Sequence, residues 1–438
     1  MTSSSTGTPE ICAVSEYYYP NFSGAAIQAH RILSRLTAHG FAVRVVTTAD
    51  QAAAGLGGAS SALDGLQVHY LGVLQQRGWS GLRRAPRLRR LAKRVNQILR
   101  DLTFHIQLLR FVLTRTHRGE VLLWYVVGDF ALPVFRIARA LGRYNVIQIS
   151  LLGADDPASF EAGGFGTAFQ LGCFRQADRI IGLSRALTDS CLQAGLPEER
   201  VVRIPNGVDL SRFPVRPADK TTLCHAVGLD PSRRYVAFVG SALLRKGIDV
   251  AVRAFVGSAA KLPDVDLLIV GPSDFSDETR HGRERQELVS QLQHEVAERG
   301  LRARVHWLGM RENVADYLRV ADLFFFPTRR EGLPNAMAEA MGCGLPVLAS
   351  RLDGITTDLV EDGVEGRLVG GFAPADYARL LEELLGDRAS LATMGQAARR
   401  RIEEEFELSV IVDRYRRLCE ELGGERAQTR PDPPDQGV

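Results

Sequence analysis

Two glutamates, Glu331 and Glu339, are the side chains in this sequence whose type and spacing best suit chemistry. Glu331 belongs to a polar loop, because Gly332 and Pro334 interrupt the backbone immediately after it. Glu339 lies in the run NAMAEAM, which predicts a short helix that is apolar on all sides and therefore buried. A carboxylate on such a helix is costly unless it is hydrogen-bonded or paired. The two carboxylates can therefore face one crevice, one from the loop and one from the helix.

A simpler interpretation of Glu339 is structural. Its carboxylate could cap amide groups near a helix N-terminus, where the helix dipole favours negative charge. The residues around Glu339 leave both alternatives open.

A basic pair, Arg245-Lys246, is the second feature that could bind a charged ligand. It lies in the loop SALLRKG, directly after an apolar strand from Tyr235 to Val239. Two cations in the first loop between a strand and a helix of a domain suit a pyrophosphate. A solvated basic pair is the alternative. The loop is not a Walker loop, because its lysine is followed by glycine and not by serine or threonine.

The elements that must position the two glutamates form one strand–loop–helix–strand unit. An apolar run from Leu323 to Phe326 predicts a buried strand, and a second run extends from Leu345 to Ala349. A helical connection between the two strands predicts that they are parallel. Open α/β sheets bind ligands at the carboxyl ends of their strands, which is where Glu331 follows the first strand.

Two loops in the N-terminal half have the same kind of position. A small-residue turn, SGAA, contains Gly24 and leads from the strand Ile11 to Ser15 into a helix, so a ligand can approach its backbone. This turn is not GxGxxG, and a dinucleotide fingerprint is therefore absent. A later strand, Asn145 to Leu151, runs into the loop GADD, which places Asp155 at a carboxyl end.

Length and composition limit the class of protein. A chain of 438 residues is too long for one ordinary hydrophobic core, so two domains are expected. Apolar residues make up 45% and charged residues 24%, which are the proportions of a soluble globular protein. A net charge of +3 gives no indication of a nucleic-acid partner. Strands alternate with helices along most of the chain, which predicts an α/β fold.

The six cysteines are scattered and include no CxxC pair, a pattern typical of free thiols in a reducing compartment. The N-terminal segment MTSSSTGTPE lacks the basic region and the apolar core of a secretory signal. The longest apolar stretch, Val121 to Phe135, is interrupted by Asp129 and is too short to span a membrane. We therefore expect a cytoplasmic location, with any membrane contact peripheral and at the inner face.

A basic segment runs from Arg77 to Arg100 without an acidic residue. One interpretation is a solvated helix face, and the other is docking on anionic lipid headgroups or on an acidic acceptor. Six apolar residues fall roughly on one helical stripe, with arginines on the other side: Leu82, Leu88, Leu91, Val95, Ile98 and Leu102.

The sequence resembles the retaining GT-B glycosyltransferases of family 4, from Ile11 to about Tyr415. The most specific segment is EGLPNAMAEAMGCGLPVLAS, which matches the family's Glu-x7-Glu element with Glu331 and Glu339 at the required spacing. Supporting segments in matching order are ADRIIGLS, RVVRIPNGVDLSRF, VGSALLRKGID, VHWLG and ADLFFFPT.

The resemblance implies a GT-B fold, in which two Rossmann-like domains face each other across a cleft and the C-terminal helix crosses back to the N-terminal domain. On this basis six segments are expected: a disordered N-terminus (1–9), an N-terminal acceptor domain (10–212), a linker (213–233), a C-terminal donor domain (234–406), a helix returning to the first domain (407–422) and a disordered tail (423–438).

The resemblance also implies a hexosyltransferase that moves a sugar from a nucleotide-diphosphate sugar to a hydroxyl of a glycan, a glycolipid or a small metabolite. Arg245 and Lys246 would bind the diphosphate, and Glu339 would bind the ribose hydroxyls. Glu331 would lie beside the donor sugar as a catalytic residue. The remaining donor-binding residues would be Gly24 from the first domain, Met310 and Arg311 beside the base, and Gly332, Leu333, Pro334 and Asn335 near the sugar and phosphate.

No metal and no further cofactor are expected, because arginine, lysine and helix N-termini can stabilise the leaving diphosphate. Retention of the anomeric configuration is implied by the family alone. A DxD pattern, which binds a metal–diphosphate in another class of glycosyltransferases, occurs at Asp264-Val265-Asp266. It precedes the strand LLIVG, at the wrong end of a sheet for ligand binding, so we interpret it as the entry to a strand.

Two departures from the family pattern bear on activity. Leu152 stands where the family often has a histidine that contacts the donor sugar, which makes Asp155 a candidate to bind the sugar or acceptor instead. Ser241 stands where an arginine is frequent, so the charge of the diphosphate depends more on the Arg245-Lys246 pair. The change at Leu152 leaves open a catalytically silent nucleotide-sugar-binding protein. A sugar-nucleotide epimerase is a further alternative, because such epimerases share the two-domain architecture.

Overall fold

The structure is a computed structural model that describes residues 10–15, 18, 24–48, 60–72, 86–125, 132–161, 167–273 and 280–428. The chain divides into two compact units. Within the described residues, the first unit draws on Met1–Leu183, Leu187–Ile204 and Ile411–Val438, and the second on Ser184–Ala186 and Pro205–Val410. The predicted disordered N-terminus, 1–9, and residues 429–438 of the predicted tail lie outside the described residues.

The first unit is built on an eight-stranded sheet. Its strands are β1 (Ile11–Ser15), β2 (Val43–Thr48), β3 (Ser60–Leu63), β4 (Leu66–Leu71), β5 (Val121–Tyr125), β6 (Tyr144–Ile149), β7 (Arg179–Gly182) and β8 (Val201–Arg203). Their order in the sheet is β3-β4-β2-β1-β5-β6-β7-β8. Strand β3 pairs antiparallel with β4, and the other neighbours pair in parallel.

The second unit is built on a six-stranded parallel sheet. Its strands are β9 (Arg234–Val239), β10 (Val265–Val270), β11 (Val305–Gly309), β12 (Leu323–Phe326), β13 (Val347–Ser350) and β14 (Gly366–Val369). Their order is β11-β10-β9-β12-β13-β14. The strands β10, β12 and β13 are buried along their whole length, as expected for parallel strands covered by helices on both faces.

Helices connect the strands of both units. In the first unit they are α1 (Gly24–Ala38), α2 (Pro86–Arg115), α3 (Leu132–Ala140), α4 (Pro157–Glu161), α5 (Thr167–Phe174) and α6 (Arg185–Gln193). In the second unit they are α7 (Thr221–Ala226), α8 (Ile248–Ser258), α9 (Arg280–Glu298), α10 (Val314–Val320), α11 (Asn335–Gly342), α12 (Pro374–Gly386) and α13 (Arg388–Arg401). The last helix is α14 (Leu408–Gln428). No helix in the described ranges combines the length and apolar character that crossing a bilayer would need.

Both sheets have a point where the strand order reverses. In the first unit, β1 lies between β2 and β5, and in the second, β9 lies between β10 and β12. The chain therefore proceeds outwards in one direction and then in the other from each of these central strands. In a Rossmann-like sheet, the carboxyl ends of the two strands at the reversal form the ligand crevice.

The C-terminal helix returns to the first unit. The buried Tyr415 hydroxyl of α14 donates a 2.7 Å hydrogen bond to Gln148 Oε1 of β6, and Arg179 forms an ion pair with Glu421. The strand orders and this return confirm the predicted fold class of two Rossmann-like domains with a C-terminal helix that crosses back.

Several segments differ from the sequence prediction. The Ala-, Gly- and Ser-rich composition of residues 50–64 predicts a loose loop. Residues 60–63 nevertheless form β3, because they pair antiparallel with β4 through a tight turn at Asp64. The expected linker, 213–233, is packed within the second unit and contains α7. Lys220, for example, donates to Asp322 at 3.1 Å. The final helix is longer than predicted and ends at Gln428.

Candidate functional site

Two loops meet at the order reversal of the second sheet. The first, residues 240–247, follows β9 and leads to α8, and we call it the β9–α8 loop. The second, residues 327–334, follows β12 and leads to α11, and we call it the β12–α11 loop. Since β9 and β12 are parallel neighbours, both loops emerge at the same edge of the sheet. This arrangement brings together residues that are about 85 positions apart in the sequence.

Lys246 and Glu331 form the central contact between these loops. The Lys246 ammonium donates a 2.5 Å hydrogen bond to Glu331 Oε1. The Glu331 residue is 5% exposed, so its charge depends on this partner. Burial lowers the pKa of Lys246, and the adjacent Glu331 carboxylate opposes that effect. The structure therefore brings Glu331, the predicted loop carboxylate, into direct contact with Lys246, one of the two predicted cations.

Arg245 also lies beside Glu331, at a greater distance than Lys246. Its guanidinium donates a 2.7 Å hydrogen bond to the Arg330 carbonyl and lies 3.5 Å from Glu331 Oε1. Thr328, which is fully buried, can donate its hydroxyl proton either to the Arg245 carbonyl, at 3.1 Å, or to Glu331, at 3.0 Å. The two cations and the carboxylate are thus held by backbone and side-chain contacts from both loops.

Gly247 makes the two loops touch. Its backbone has φ +77°, in the left-handed region that favours glycine. A Cβ atom added there would lie 1.8 Å from the Pro327 carbonyl oxygen, which is far inside any permitted contact. Only glycine therefore allows the residue after Lys246 to approach the β12–α11 loop this closely.

Glu339 lies on a partly open face of α11. Asn335, Ala336 and Glu339 are half-buried, whereas Met337, Ala338, Ala340 and Met341 are buried. The prediction that this helix is buried on all sides was therefore wrong, because one side of its first turns is open. Glu339 as a residue is half-buried, so the desolvation argument drawn from the sequence applies to it only in part.

The start of α11 is tied to a segment that sequence analysis did not assign to the site. Asn206, 5% exposed, donates a 2.8 Å hydrogen bond from its side-chain amide to Asn335 Oδ1. The three loop residues directly before α11, Gly332, Leu333 and Pro334, are buried. The helix N-terminus is therefore fixed in place, and the open face that carries Glu339 is fixed with it.

The remaining predicted donor residues of the second unit lie after β11. Met310 is 60% exposed and Arg311 is also exposed. Gly309 has φ +67°, so it turns the chain at the carboxyl end of β11. Both side chains are free to meet a ligand, and their role beside a base stays a prediction.

The predicted residues of the first unit are placed separately. Gly24 is the exposed first residue of α1, and most of the loop before it lies outside the described residues. The Asp155 carboxylate accepts hydrogen bonds from the Ser150 amide and hydroxyl and from the Leu151 amide. Burial raises the pKa of Asp155, against the effect of these bonds. They give the carboxylate a structural role in its own loop, and its proposed role toward a ligand stays a prediction.

The DxD residues are engaged at the opposite edge of the second sheet. Asp264 pairs with Arg234 at 2.7 Å, and the buried Asp266 pairs with Arg233 and accepts from His306 at 3.1 Å. Hydrogen bonds from His306 and Arg233 outweigh burial and hold the pKa of Asp266 below its usual value. Within the part of the chain that the structure describes, no three His, Cys, Asp or Glu side chains gather as a metal site.

Sequence analysis also missed the ion pair between Asp249 and Arg329, which joins the start of α8 to the β12–α11 loop. Asp249 lies in the first turn of a helix, where a carboxylate is common for reasons of the helix dipole alone. The signal in the sequence was its position two residues after the RKG segment, and that signal does not identify the partner.

Known protein families match both halves of the chain, including the two loops described above. A sequence model described as "Glycosyl transferases group 1" matches residues 219–401, and one described as "Glycosyl transferase 4-like domain" matches residues 23–207. A D-inositol 3-phosphate glycosyltransferase from Mycolicibacterium vanbaalenii is 38% identical over 279 residues, which are 63% of this chain and 59% of that protein. The chain thus spans about three-fifths of the length of the curated relatives that it matches.

Solved structures show a similar fold. Sucrose-phosphate synthase from Thermosynechococcus elongatus matches with a TM-score of 0.74 at 20% identity, covering 95% of this chain and 100% of that one. Anabaena HepE in complex with UDP-glucose matches with a TM-score of 0.70 at 20% identity, covering 94% and 99%. At this identity the likeness concerns the fold alone. The two sequence models together extend over most of the chain. With the similarity of fold, they show that the chain belongs to the group 1 glycosyltransferases of family 4, with a GT-B fold.

Proposed function

We propose that this chain transfers a sugar from a nucleotide-diphosphate sugar to a hydroxyl acceptor, with retention of the anomeric configuration and without a metal ion. One observation carries the proposal. Lys246 and Glu331, which come from different loops, are in direct contact at the order reversal of the second sheet, where α/β folds bind ligands. Arg245 adds a second cation at the same place.

The cations supply the electrostatic part of the reaction. As the bond between the sugar and the diphosphate breaks, negative charge accumulates on the leaving phosphate. Lys246 and Arg245 are positioned to stabilise that charge, with the amides at the start of α11 as further donors. In this role the cations take the place that a divalent metal has in other glycosyltransferases.

Glu331 keeps Lys246 in position in the absence of donor. The 2.5 Å contact satisfies both charges in a poorly hydrated site. When a diphosphate enters, it competes for the same ammonium, and the freed carboxylate oxygens can accept hydrogen bonds from sugar hydroxyls. This exchange couples diphosphate binding to sugar binding.

The names of similar proteins suggest specific substrates. The neighbour from Anabaena was solved with UDP-glucose, and the curated relatives are named for D-inositol 3-phosphate. We propose a UDP-sugar as the first donor to test, and a phosphorylated cyclitol among the first acceptors. Thermal unfolding with UDP-, GDP- and ADP-sugars provides the direct test, because a donor at a hundred times its Kd stabilises the folded state by about 2.7 kcal/mol. Absence of stabilisation by every donor would contradict the proposal.

Replacement of Glu339 by glutamine is expected to weaken UDP binding by about 10- to 100-fold, because a hydrogen bond to a charged group contributes about 1.5–3 kcal/mol. Glu339 is half-buried on the open side of α11, where we propose that a ribose diol binds. Isothermal titration with UDP measures the effect. A matched control is Glu404→Gln, which removes an exposed carboxylate in the turn Ile402–Phe406. Equal UDP affinity in Glu339→Gln and wild type would remove Glu339 from the site.

Leu152 supports a second candidate, a protein that binds nucleotide sugars without transferring them. This residue stands in the loop after β6, half-buried, where an imidazole is often found in the family. Donor binding without transfer to any acceptor, and without hydrolysis, would favour this candidate. Release of an epimerised sugar in the absence of acceptor would instead indicate an epimerase.

The outer face of α2 indicates a further part of the function. The inner face of this helix packs into the first unit through Phe104, Leu108, Phe111 and Val112, which are buried. The opposite face is apolar as well. It presents five large side chains at helical spacing that are 41–58% exposed: Val95, Ile98, Leu99, Leu102 and Ile106.

We propose that this exposed stripe docks on an anionic lipid surface at the cytoplasmic face of a membrane. A contiguous exposed apolar stripe marks an interaction site, and the N-terminal half of α2 is rich in arginine with no acidic residue before Asp101. That combination suits phospholipid headgroups over an apolar interior. The side chains of 86–94 and the segment 77–85 of the predicted basic region lie outside what the structure describes.

The double substitution Ile98→Ser and Ile106→Ser is expected to weaken binding to vesicles of phosphatidylcholine and phosphatidylglycerol by about 10- to 100-fold, because each side chain loses roughly 1–2 kcal/mol of apolar burial. Co-sedimentation measures the effect. The control Leu192→Ser changes a 41% exposed leucine on α6 of the same unit. Wild-type binding should also fall as salt rises. If the stripe instead mediated self-association, the double substitution would change the oligomeric state and leave vesicle binding absent throughout.

A further inference from the structure

The ion pair between Arg329 and Asp249 lies beside the proposed donor site and is not part of it. We propose that Arg329 and Asp249 are positioning residues that hold the β9–α8 loop and the β12–α11 loop in register. The inference rests on the proposed function, because it concerns how Lys246 is presented to a diphosphate. It concerns two residues that contact neither sugar nor phosphate in that proposal.

The contacts of Arg329 join three segments. Its guanidinium binds the Asp249 carboxylate through two parallel hydrogen bonds, of 2.7 and 2.8 Å. It also donates to the Leu244 carbonyl at 2.5 Å. Its backbone amide donates to the Arg245 carbonyl at 2.8 Å. One residue of the β12–α11 loop is therefore bonded on both sides of Lys246, to Leu244 and Arg245 before it and to Asp249 after it.

The environment makes this pair specific for arginine. Asp249 is 7% exposed, so an unpaired carboxylate there would be costly. The Arg329 guanidinium lies 5.1 Å from the centre of the Phe372 ring, and its hydrogen bond to Asp249 raises the pKa of the guanidinium. A lysine at this position would lose the paired geometry and the planar contact with the ring.

The guanidinium is engaged by other groups and does not serve the ligand. Its two terminal nitrogens are occupied by Asp249 and by the Leu244 carbonyl. In contrast, the side chain of Arg245 contacts the Arg330 carbonyl and Glu331, and that of Lys246 contacts Glu331 and the Phe326 ring. Different cations therefore have different roles. Arg329 holds the two loops together, and Arg245 and Lys246 face the proposed ligand.

Precise register matters because the loops are in contact without space between them. The Gly247 position could not accept even a Cβ atom against the Pro327 carbonyl. A small shift of one loop would therefore move Lys246 relative to Glu331. Misplacement of a catalytic group by about 1 Å can lower a rate by about 100-fold.

The test compares this pair with a second ion pair on the same helix. Arg253 on α8 also binds a carboxylate, that of Glu295, through two hydrogen bonds of 2.8 and 2.9 Å, away from both loops. We expect Arg329→Lys and Asp249→Asn each to lower kcat about 100-fold with a smaller change in KM, whereas Arg253→Lys leaves both parameters unchanged. Urea denaturation of all variants separates these effects from loss of folded protein. In the double variant of Arg329 and Asp249, the losses should not add, because both remove the same contact.

Amide hydrogen exchange gives a readout that needs no substrate. The Arg329 amide, bonded to the Arg245 carbonyl, should exchange about tenfold or more faster in Arg329→Lys and Asp249→Asn, and at the wild-type rate in Arg253→Lys. Unchanged exchange and unchanged kcat in the first two variants would overturn the inference, as would an equal loss in the Arg253 variant. If the wild-type protein transferred no sugar, faster exchange would still support the loop contact, and the proposed function alone would fail.

Discussion

Replacement of Lys246 by alanine is expected to lower kcat/KM for transfer from a nucleotide sugar by about 1000-fold. Removing one preorganised donor to a developing anion costs about 10²–10³ in rate, and Lys246 is the cation in closest contact with the proposed site. The same side chain is half-buried beside the Phe326 ring, with its ammonium 5.4 Å from the ring centre. Its charge therefore acts where water screens it weakly.

Two controls separate this effect from damage to the fold. Lys261→Ala removes an exposed lysine of the same unit, which pairs with Glu382 at 2.7 Å, and should leave kcat/KM unchanged. Urea denaturation accounts for any stability lost when Glu331 keeps Arg245, at 3.5 Å, as its neighbouring cation in place of Lys246. Transfer by Lys246→Ala at the wild-type rate would exclude this lysine from diphosphate binding.

The pH dependence follows from the environment of Lys246. Burial lowers its pKa below the ordinary value near 10.5, because the charged form is poorly hydrated. The ammonium is therefore lost at a lower pH than that of an exposed lysine. The pH profile of kcat/KM reports the pKa values of the free enzyme. The pKa of its alkaline limb should accordingly be lower than that of an ordinary lysine.

Substitution of Gly247 by alanine is expected to lower kcat/KM by at least 100-fold and to destabilise the second unit by about 4 kcal/mol. Part of the loss is backbone strain, since a Cβ atom in the left-handed region costs about 1–2 kcal/mol. The larger part is collision. The new Cβ would lie 1.8 Å from the Pro327 carbonyl oxygen, so the two loops must separate.

Gly300 provides a control that separates the effect of the steric collision from that of backbone strain. Gly300 has φ +69°, close to the +77° of Gly247, but no atom lies within 4 Å of an added Cβ. Gly300→Ala should therefore cost about 1 kcal/mol and leave transfer unchanged. Thermal and urea unfolding, with initial rates, measure both variants. If both variants lost the same stability and Gly247→Ala kept normal transfer, the close contact between the loops would not be needed for function.

Much of the architecture could be predicted from local patterns. Apolar runs of four to six residues gave the strands on either side of Glu331, such as β12 and β13, because buried parallel strands are continuously hydrophobic. The alternation of strands and helices predicted an α/β fold, and the resemblance to family 4 glycosyltransferases implied its GT-B type. The predictions were wrong where locally ambiguous segments depend on a partner: Ser60–Leu63 is a strand only because β4 lies beside it.

Local sequence patterns predict that Glu331 lies in a loop at a strand's carboxyl end and that Arg245-Lys246 lies in another, because chain breakers and hydrophobic periodicity act over a few residues. That these loops are neighbours is a property of the folded chain. The strands β9 and β12 are far apart in sequence and adjacent in the sheet. The contacts of Lys246 with Glu331 and of Arg329 with Asp249, and the open outer face of α2, depend on long-range packing that no local pattern records.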